Sequence, residues 1–349
     1  MAVFARRVVR LARVGSPRFS VLYCAGFLAG TAVAGGLTAR MLPWWLGYWL
    51  LFCVAVEWLN RLADLPADRV NQPERTRMAL TFGVRTLRRL AIALWVAVSA
   101  WSIALALTVT QQRVALAAVL TINIAIGIGY SIGRFAKRRP RFALLLLSAT
   151  TVLPMVTGAI AGDTAVTGRH LVALVAGVVL LGTSSLAIAG AKDLTDIVGD
   201  RLIGYRSPWV QVMSSGAGRN AVALLAIQLA AAGVIAVAAD SAWAPVVLGV
   251  IPLESAVVLF AHRSRTMADF VAVREFMYLV SLGNVVLTAM AIVGTADYVA
   301  VVAGCVLAWV ALSRFGHWHR HFSWTVLVRI SSLARGVPAG LPAASAARL

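Results

Sequence analysis

Runs of about twenty apolar residues, each long enough to cross a hydrocarbon core about 30 Å thick, recur along this chain from end to end. They fall at roughly 20–40, 43–62, 88–110, 114–133, 143–162, 170–192, 220–239, 243–262, 274–294 and 297–315. The expectation is an all-α polytopic bundle of nine to ten spans around a central apolar cavity, forming one domain because no polar linker separates two. Residues are 60% hydrophobic and 13% charged, with a mean hydropathy of +0.85. Water-soluble chains run nearer half apolar and a quarter charged, so a soluble enzyme, a disordered chain and a disulfide scaffold are disfavoured. Cys24, Cys53 and Cys305 all lie in apolar runs, which argues against a disulfide framework or a cysteine metal site. The first run is too long for the core of a signal peptide and is kept as a span.

The orientation follows from the basic residues. Of 32 Lys and Arg, 29 fall at the N-terminus, in the loops after the second, fourth, sixth and eighth spans, and in the tail; only Arg40, Arg113 and Arg169 lie opposite. Positive charge is retained on the cytoplasmic side, so both termini are expected there, in a multi-pass protein of the cell membrane. The net charge of +19 thus reflects sorting across a bilayer and contact with membrane lipids, not nucleic acid. Segment 1–19, with Arg6, Arg7, Arg10 and Arg13 among Val and Leu, reads either as an interfacial helix or as a frayed basic terminus. Segment 20–315 is the membrane domain, and 316–349 a basic, partly disordered tail containing His317, His319 and His321.

Acidic residues number only 13, and five of them are aspartates in two short stretches. At the end of the second span, Asn60, Asp64 and Asp68 are spaced by four, which on a helix sets an amide and two carboxylates on one face, with Glu57 on the same stripe. After the sixth span, Asp196 and Asp200 share a face, with Asp193 three residues earlier. Either pair alone reads as solvated charge balancing nearby arginines. Both pairs on one side of the membrane, with Asn60 at the same period, exceed that account. Grouped carboxylates repel unless a cation joins them, and all-oxygen ligation suits Mg²⁺ shared with substrate phosphates.

The stretches Asn60-Arg-Leu-Ala-Asp64-Leu-Pro-Ala-Asp68 and Lys192-Asp193-Leu-Thr-Asp196-Ile-Val-Gly-Asp200 resemble the paired aspartate motifs of the UbiA family of intramembrane prenyltransferases. Tyr130 with Lys137, and the start around Arg13, Pro17 and Arg18, are similar to further family features. The resemblance implies that Asn60, Asp64, Asp68, Asp196 and Asp200 hold Mg²⁺ against a prenyl diphosphate, assisted by Asp193. It also implies that Lys137, Arg69, Arg134 or Arg206 takes phosphate oxygens while Tyr130 donates a hydrogen bond. The implied reaction ionises the diphosphate to an allylic cation, which a small-molecule acceptor, commonly aromatic, then captures. Two alternatives use the same site: a UbiA-type terpene cyclase that needs no acceptor, and a lipid-phosphate phosphoribosyl or glycosyl transferase. A secondary transporter would explain ten helices but not two aspartate clusters at helix ends.

Some features depart from the motifs. Arg61 follows Asn60 where many relatives carry an acid, and Pro66 should end or kink the helix before Asp68. Glu254 lies inside a span, where it reads as a hydrogen-bonded buried carboxyl or as a group that takes a proton or positions the acceptor. Asn123, Gln228 and Asn284 read as interhelical hydrogen bonds, and Trp58 and Trp95 as packing.

Overall fold

The computed structural model describes residues 9–108, 112–132, 139–202, 204, 217–239, 241–294, 298–316 and 324–336. Among them every regular element is helical. In chain order these are α1 (Ser20–Val33), α2 (Leu42–Asn71), α3 (Pro73–Leu80), α4 (Val84–Thr108), α5 (Arg113–Ser131), α6 (Pro140–Ala161) and α7 (Gly168–Ile188). Then follow a 3₁₀ turn (Ala189–Thr195), α8 (Ile197–Leu202), α9 (Ala217–Ala238), α10 (Val250–Arg263), α11 (Met267–Val293), α12 (Tyr298–Gly316) and α13 (Trp324–Ala334).

Seven of the described helical stretches are long and apolar enough to cross a membrane: Ala39–Asn71, Val84–Thr108, Arg113–Ser131, Pro140–Ala161, Gly168–Thr195, Ala244–Arg263 and Met267–Val293. They match seven of the ten expected spans. Of the other three, the first is shorter. At 1.5 Å per residue, the 14 residues of α1 reach only about 21 Å, because Gly35 and Gly36 at positive φ turn the chain where a span to residue 40 was expected. Apolar stretches Val222–Ala238 and Ala303–Phe315 stand for the seventh and tenth.

The short α1 lies deep in the bundle because small residues let it approach α6. A Cβ on Gly30 would lie 1.9 Å from the Met155 carbonyl oxygen, and one on Gly158 would lie 2.1 Å from that of Phe27. Such small-residue contacts let helix backbones touch where lipid supplies no hydrophobic drive. On one side of this pair Trp45, Tyr48, Trp49, Phe52 and Trp95 form an aromatic core. On the other, α7, α9 and α11 close an aliphatic core around Leu180, Ile235 and Val286. Glu254 is buried, and accepts from Gln228 Nε2 at 2.7 Å and from Asn284 Nδ2 at 3.3 Å, the hydrogen-bonded arrangement of one of its two readings.

The tail contains an element not expected from its composition. Helix α13 docks Leu333 and Ile330 against α10 and α11, and Arg263 caps its end by donating to the carbonyls of Leu333 and Ala334. His317, His319 and His321, like the Ala- and Pro-rich end, lie outside the described residues.

Candidate active site

The first aspartate motif ends the long helix α2. Pro66 sits inside it, yet the helix runs on to Asn71, so the expected end before Asp68 is not found. One backbone donor is lost there, and the i to i+4 spacing of Asn60, Asp64 and Asp68 survives. Asp68 is buried and held by Arg61, whose Nη1 lies 2.5 Å from its Oδ2. The same Nη1 donates to Gln72 Oε1 at 3.2 Å, and Arg61 Nη2 lies 3.6 Å from Glu57 Oε2. Arg75 adds a second guanidinium, donating to Glu57 Oε2 at 3.3 Å, to the Val14 carbonyl at 2.8 Å and to Ser16 Oγ.

The second motif is built differently. Helix α7 tightens into the 3₁₀ turn, Asp196 sits at its end, and α8 begins. The Asp196 amide bonds the Asp193 carbonyl and the Asp200 amide bonds the Asp196 carbonyl, each at 3.0 Å. One three-residue step followed by one four-residue step keeps all three carboxylates on one side, although the backbone is not a continuous α-helix. Lys192 Nζ holds Asp193 Oδ1 at 2.6 Å, while Asp193 Oδ2 is buried with no hydrogen-bond partner among the described residues. Thr195 Oγ1 donates to Asp196 Oδ1 at 3.0 Å and accepts from Arg274 Nη1 at 2.9 Å.

A single amide joins the motifs. Asn71 Nδ2 donates to the Asp196 carbonyl at 2.8 Å, and Asn71 Oδ1 accepts from the Gly199 amide at 2.8 Å. The backbones are so close that a Cβ on Gly199 would lie 2.5 Å from both the Ala67 carbonyl oxygen and Asn71 Oδ1. With the motifs pressed together, burial first and then Asp193, Asp196 and Asp64 push the Asp200 carboxyl up to about 8. Burial also raises Asp196, against the pull of Arg274.

Above this junction opens a cavity of about 240 Å³. Its lining includes the polar side chains of Asn60, Arg61, Tyr130, Lys192, Asp196 and Arg274 and the apolar ones of Phe19, Leu22, Leu147, Met277 and Val285. Lys192 Nζ stands 5.7 Å from the centre of the Tyr130 ring. Arg18 reaches the wall from the N-terminal turn, fixed by a bidentate pair with buried Glu275 at 2.8 and 3.1 Å and flanked by Phe19, Tyr278 and Trp309.

Of the residues expected at the site, Asn60, Tyr130 and Asp196 face the cavity directly. Asp64, Asp68, Asp193 and Asp200 stand behind that lining. Arg69 is exposed and does not line the cavity, because it projects from the far side of α2. Lys137, Arg134 and Arg206 lie outside the described residues. Sequence reasoning gave no site role to Arg61, Arg75, Lys192, Arg274 or Asn71. Arg61 carried a signal, four residues from Glu57 and seven from Asp68 on the same helix. Among the described residues no three His, Cys, Asp or Glu side chains converge as a ready-made metal cage. The donors are nonetheless all oxygen, and one buried carboxylate oxygen lacks a hydrogen-bond partner among the described residues. That set suits a hard cation bound by a few carboxylates and completed by phosphate oxygens.

Several solved structures share the fold. A UbiA homologue from Archaeoglobus fulgidus bound to DMAPP and Mg²⁺ aligns over 92% of this chain and 99% of its own, with a TM-score of 0.54 at 12% identity. The same protein bound to GPP and Mg²⁺ aligns over 93% and 99%, with a TM-score of 0.51 at 14% identity. Bound to Cd²⁺ it aligns over 88% and 97%, with a TM-score of 0.51 at 12% identity. No curated protein matches the chain. The model of the UbiA prenyltransferase family matches residues 21–282, three quarters of the length, so this multi-pass membrane protein belongs to the UbiA prenyltransferase family.

Proposed function

We propose that this chain transfers an isoprenyl group from a prenyl diphosphate to an aromatic acceptor inside the membrane, with Mg²⁺ and through an allylic carbocation. The observation that carries this reading is the junction itself: two aspartate motifs, clipped by Asn71, send Asn60 and Asp196 into one cavity that charged groups share with apolar side chains. The Archaeoglobus homologue holding DMAPP or GPP with Mg²⁺ supports the same donor and metal here.

Asn60, Asp64, Asp196 and Asp200 would hold the metal, with Asp193 beside them. When bound, Mg²⁺ supplies Lewis acidity that stabilises the negative charge gathering on the departing diphosphate. Lys192 and Arg274 bind phosphate oxygens in the cavity, as charge-assisted donors, and Tyr130 donates a hydrogen bond. The carbon–oxygen bond to the diphosphate breaks with its electron pair leaving on oxygen. Leu22, Leu147, Met277 and Val285 keep water from the cation that remains. A ring carbon of the acceptor then attacks, and a ring proton is lost to restore aromaticity. The distribution of Lys and Arg supports a site on the cytoplasmic side of the cell membrane, where a soluble diphosphate headgroup would arrive.

The test is purified full-length protein in detergent with Mg²⁺, prenyl diphosphates of ten to twenty carbons and a panel of phenolic acceptors. Prenylated phenol and pyrophosphate in equal amounts are expected by mass spectrometry and phosphate release. Hydrocarbon with pyrophosphate and no need of acceptor would assign a cyclase instead. Absence of pyrophosphate release with every donor overturns the reading.

A further inference from the structure

We propose that Arg61 is a resident cation that takes Asp68 out of metal ligation, so that the site holds a single divalent ion on the side of Asp196 and Asp200. This rests on the metal-dependent reading above and sharpens it.

In the first motif Asp68 is already neutralised from within. Arg61 sits on the same helix as the carboxylates, is tethered to it, and stays charged at every working pH. Its Nη1 lies 2.5 Å from Asp68 Oδ2 and 3.2 Å from Gln72 Oε1, and its Nη2 faces Glu57. Side chains of Arg61 and Asp68 are only 12% and 8% exposed, so little water could replace either partner if they parted. Arg75 gives Glu57 a second positive neighbour. A divalent ion drawn to Asp68 would have to displace a buried guanidinium and then lie beside it, adding repulsion to the loss of the pair.

The second motif is paired only in part. Lys192 Nζ holds Asp193 Oδ1 at 2.6 Å, while Arg274 donates to Thr195 Oγ1 at 2.9 Å and is shared with Glu275 at 3.6 Å. Asp193 is 3% exposed, and among the described residues its buried Oδ2 has no hydrogen-bond partner. Buried polar atoms are left unpaired only rarely, and a bound cation would satisfy this one. The carboxylates of the site are therefore unequal: a fixed guanidinium serves Asp68, and a metal ion serves Asp196 and Asp200.

Counting bound metal tests this without reference to turnover. Full-length protein in detergent is titrated with Mn²⁺ in the presence of inorganic pyrophosphate, and free Mn²⁺ is read by electron paramagnetic resonance. One Mn²⁺ per chain is expected for the wild type and for Arg61→Lys, and two for Arg61→Gln, in which Asp68 is released. Two ions in the wild type, or one in a folded Arg61→Gln, overturns the proposal alone. No ion in the wild type overturns the metal-dependent reading and the proposal with it. Should Arg61→Gln fail to fold, Asp68→Asn decides. It is expected to keep one Mn²⁺ with affinity within about threefold of wild type, whereas a loss of about tenfold or more marks Asp68 as a ligand.

Discussion

The two aspartate motifs carry similar residues at similar spacing, yet they solve opposite problems. The first rides on a continuous helix and is charge-balanced by its own arginines: Arg61 takes Asp68 and Glu57, and Arg75 reinforces Glu57. The second sits on a 3₁₀ turn running into a short helix, where three carboxylates share one side and, among the described residues, one buried oxygen has no hydrogen-bond partner. Identical side chains therefore have different work. On the rigid helix Asp68 is held by a cation that never leaves, and on the turn Asp196 and Asp200 are held in reserve for one that binds. A spacing of four residues does not distinguish these cases; the neighbouring cations do.

Alanine at Asp196 should separate the motifs most sharply. Losing a carboxylate that faces the cavity removes several kcal/mol of stabilisation from the developing negative charge, so kcat should fall about a thousandfold. Asp64→Ala is expected to do the same, with the melting temperature of both variants within a few degrees of wild type. Asp68→Ala should behave differently, costing stability more than turnover, because it leaves Arg61 buried without its closest partner. Equal losses of kcat at Asp68 and Asp196, with unchanged melting temperatures, would erase the distinction between the motifs.

The next largest effect concerns the junction. A methyl group on Gly199 would meet the Ala67 carbonyl and Asn71 Oδ1 at 2.5 Å, both on the partner helix, so Gly199→Ala must push the motifs apart. Overpacking of this kind costs about 1–3 kcal/mol. Activity should drop about a hundredfold, since misplacement by an ångström at a reacting centre costs that much. Asn71→Ala removes the clip without a clash. It leaves the Gly199 amide and the Asp196 carbonyl to find other partners, and should reduce kcat/KM about tenfold. Measured side by side, the glycine variant should be the worse; the reverse order would mean that the clip, not the close approach, sets the geometry.

These variants also mark what could be read from the chain alone. Helical spans were legible because a hydrocarbon core demands long apolar runs, and the facing aspartates were legible because a helix repeats every three to four residues. The face shared by Asp193, Asp196 and Asp200 was anticipated from helical spacing and persists on a backbone that is partly 3₁₀, since either turn returns near its start. The early end of α1 was less visible, because apolar residues continue past the Gly35-Gly36 pair that turns the chain. Arg61 stood beside Asn60 in plain view, but which of Glu57, Asp64 or Asp68 it would grip depends on rotamer and burial, not on spacing. Asn71 and Gly199 are 128 residues apart, and only the packing of α2 on α8 makes their contact. Helix α13 was hidden by a tail whose composition is shared between polar and apolar residues.

The smallest expected effect is a slope in stability with pH, and it belongs to the second motif alone. Burial and the charges of Asp193, Asp196 and Asp64 raise the Asp200 carboxyl to about 8 in the folded protein, against roughly 3.9 in an unfolded chain. The folded state then holds this proton more tightly than the unfolded state does, so protonation favours folding. The contribution is fully present below the unfolded value, and is lost as pH rises through the folded one. Metal-free protein should therefore melt at progressively lower temperature as pH is raised from about 5 to 8, by a few degrees in all. Asparagine at 200 cannot ionise and should flatten that slope. Mg²⁺ should flatten it too, because a cation among the carboxylates offsets the repulsion that raises the Asp200 value, and its binding should release a proton near neutral pH. Calorimetric melting at several pH values, with and without Mg²⁺, measures both effects. An unchanged slope in Asp200→Asn would place the titrating group elsewhere, and a slope that Mg²⁺ leaves intact would mean the ion does not sit on this side of the site.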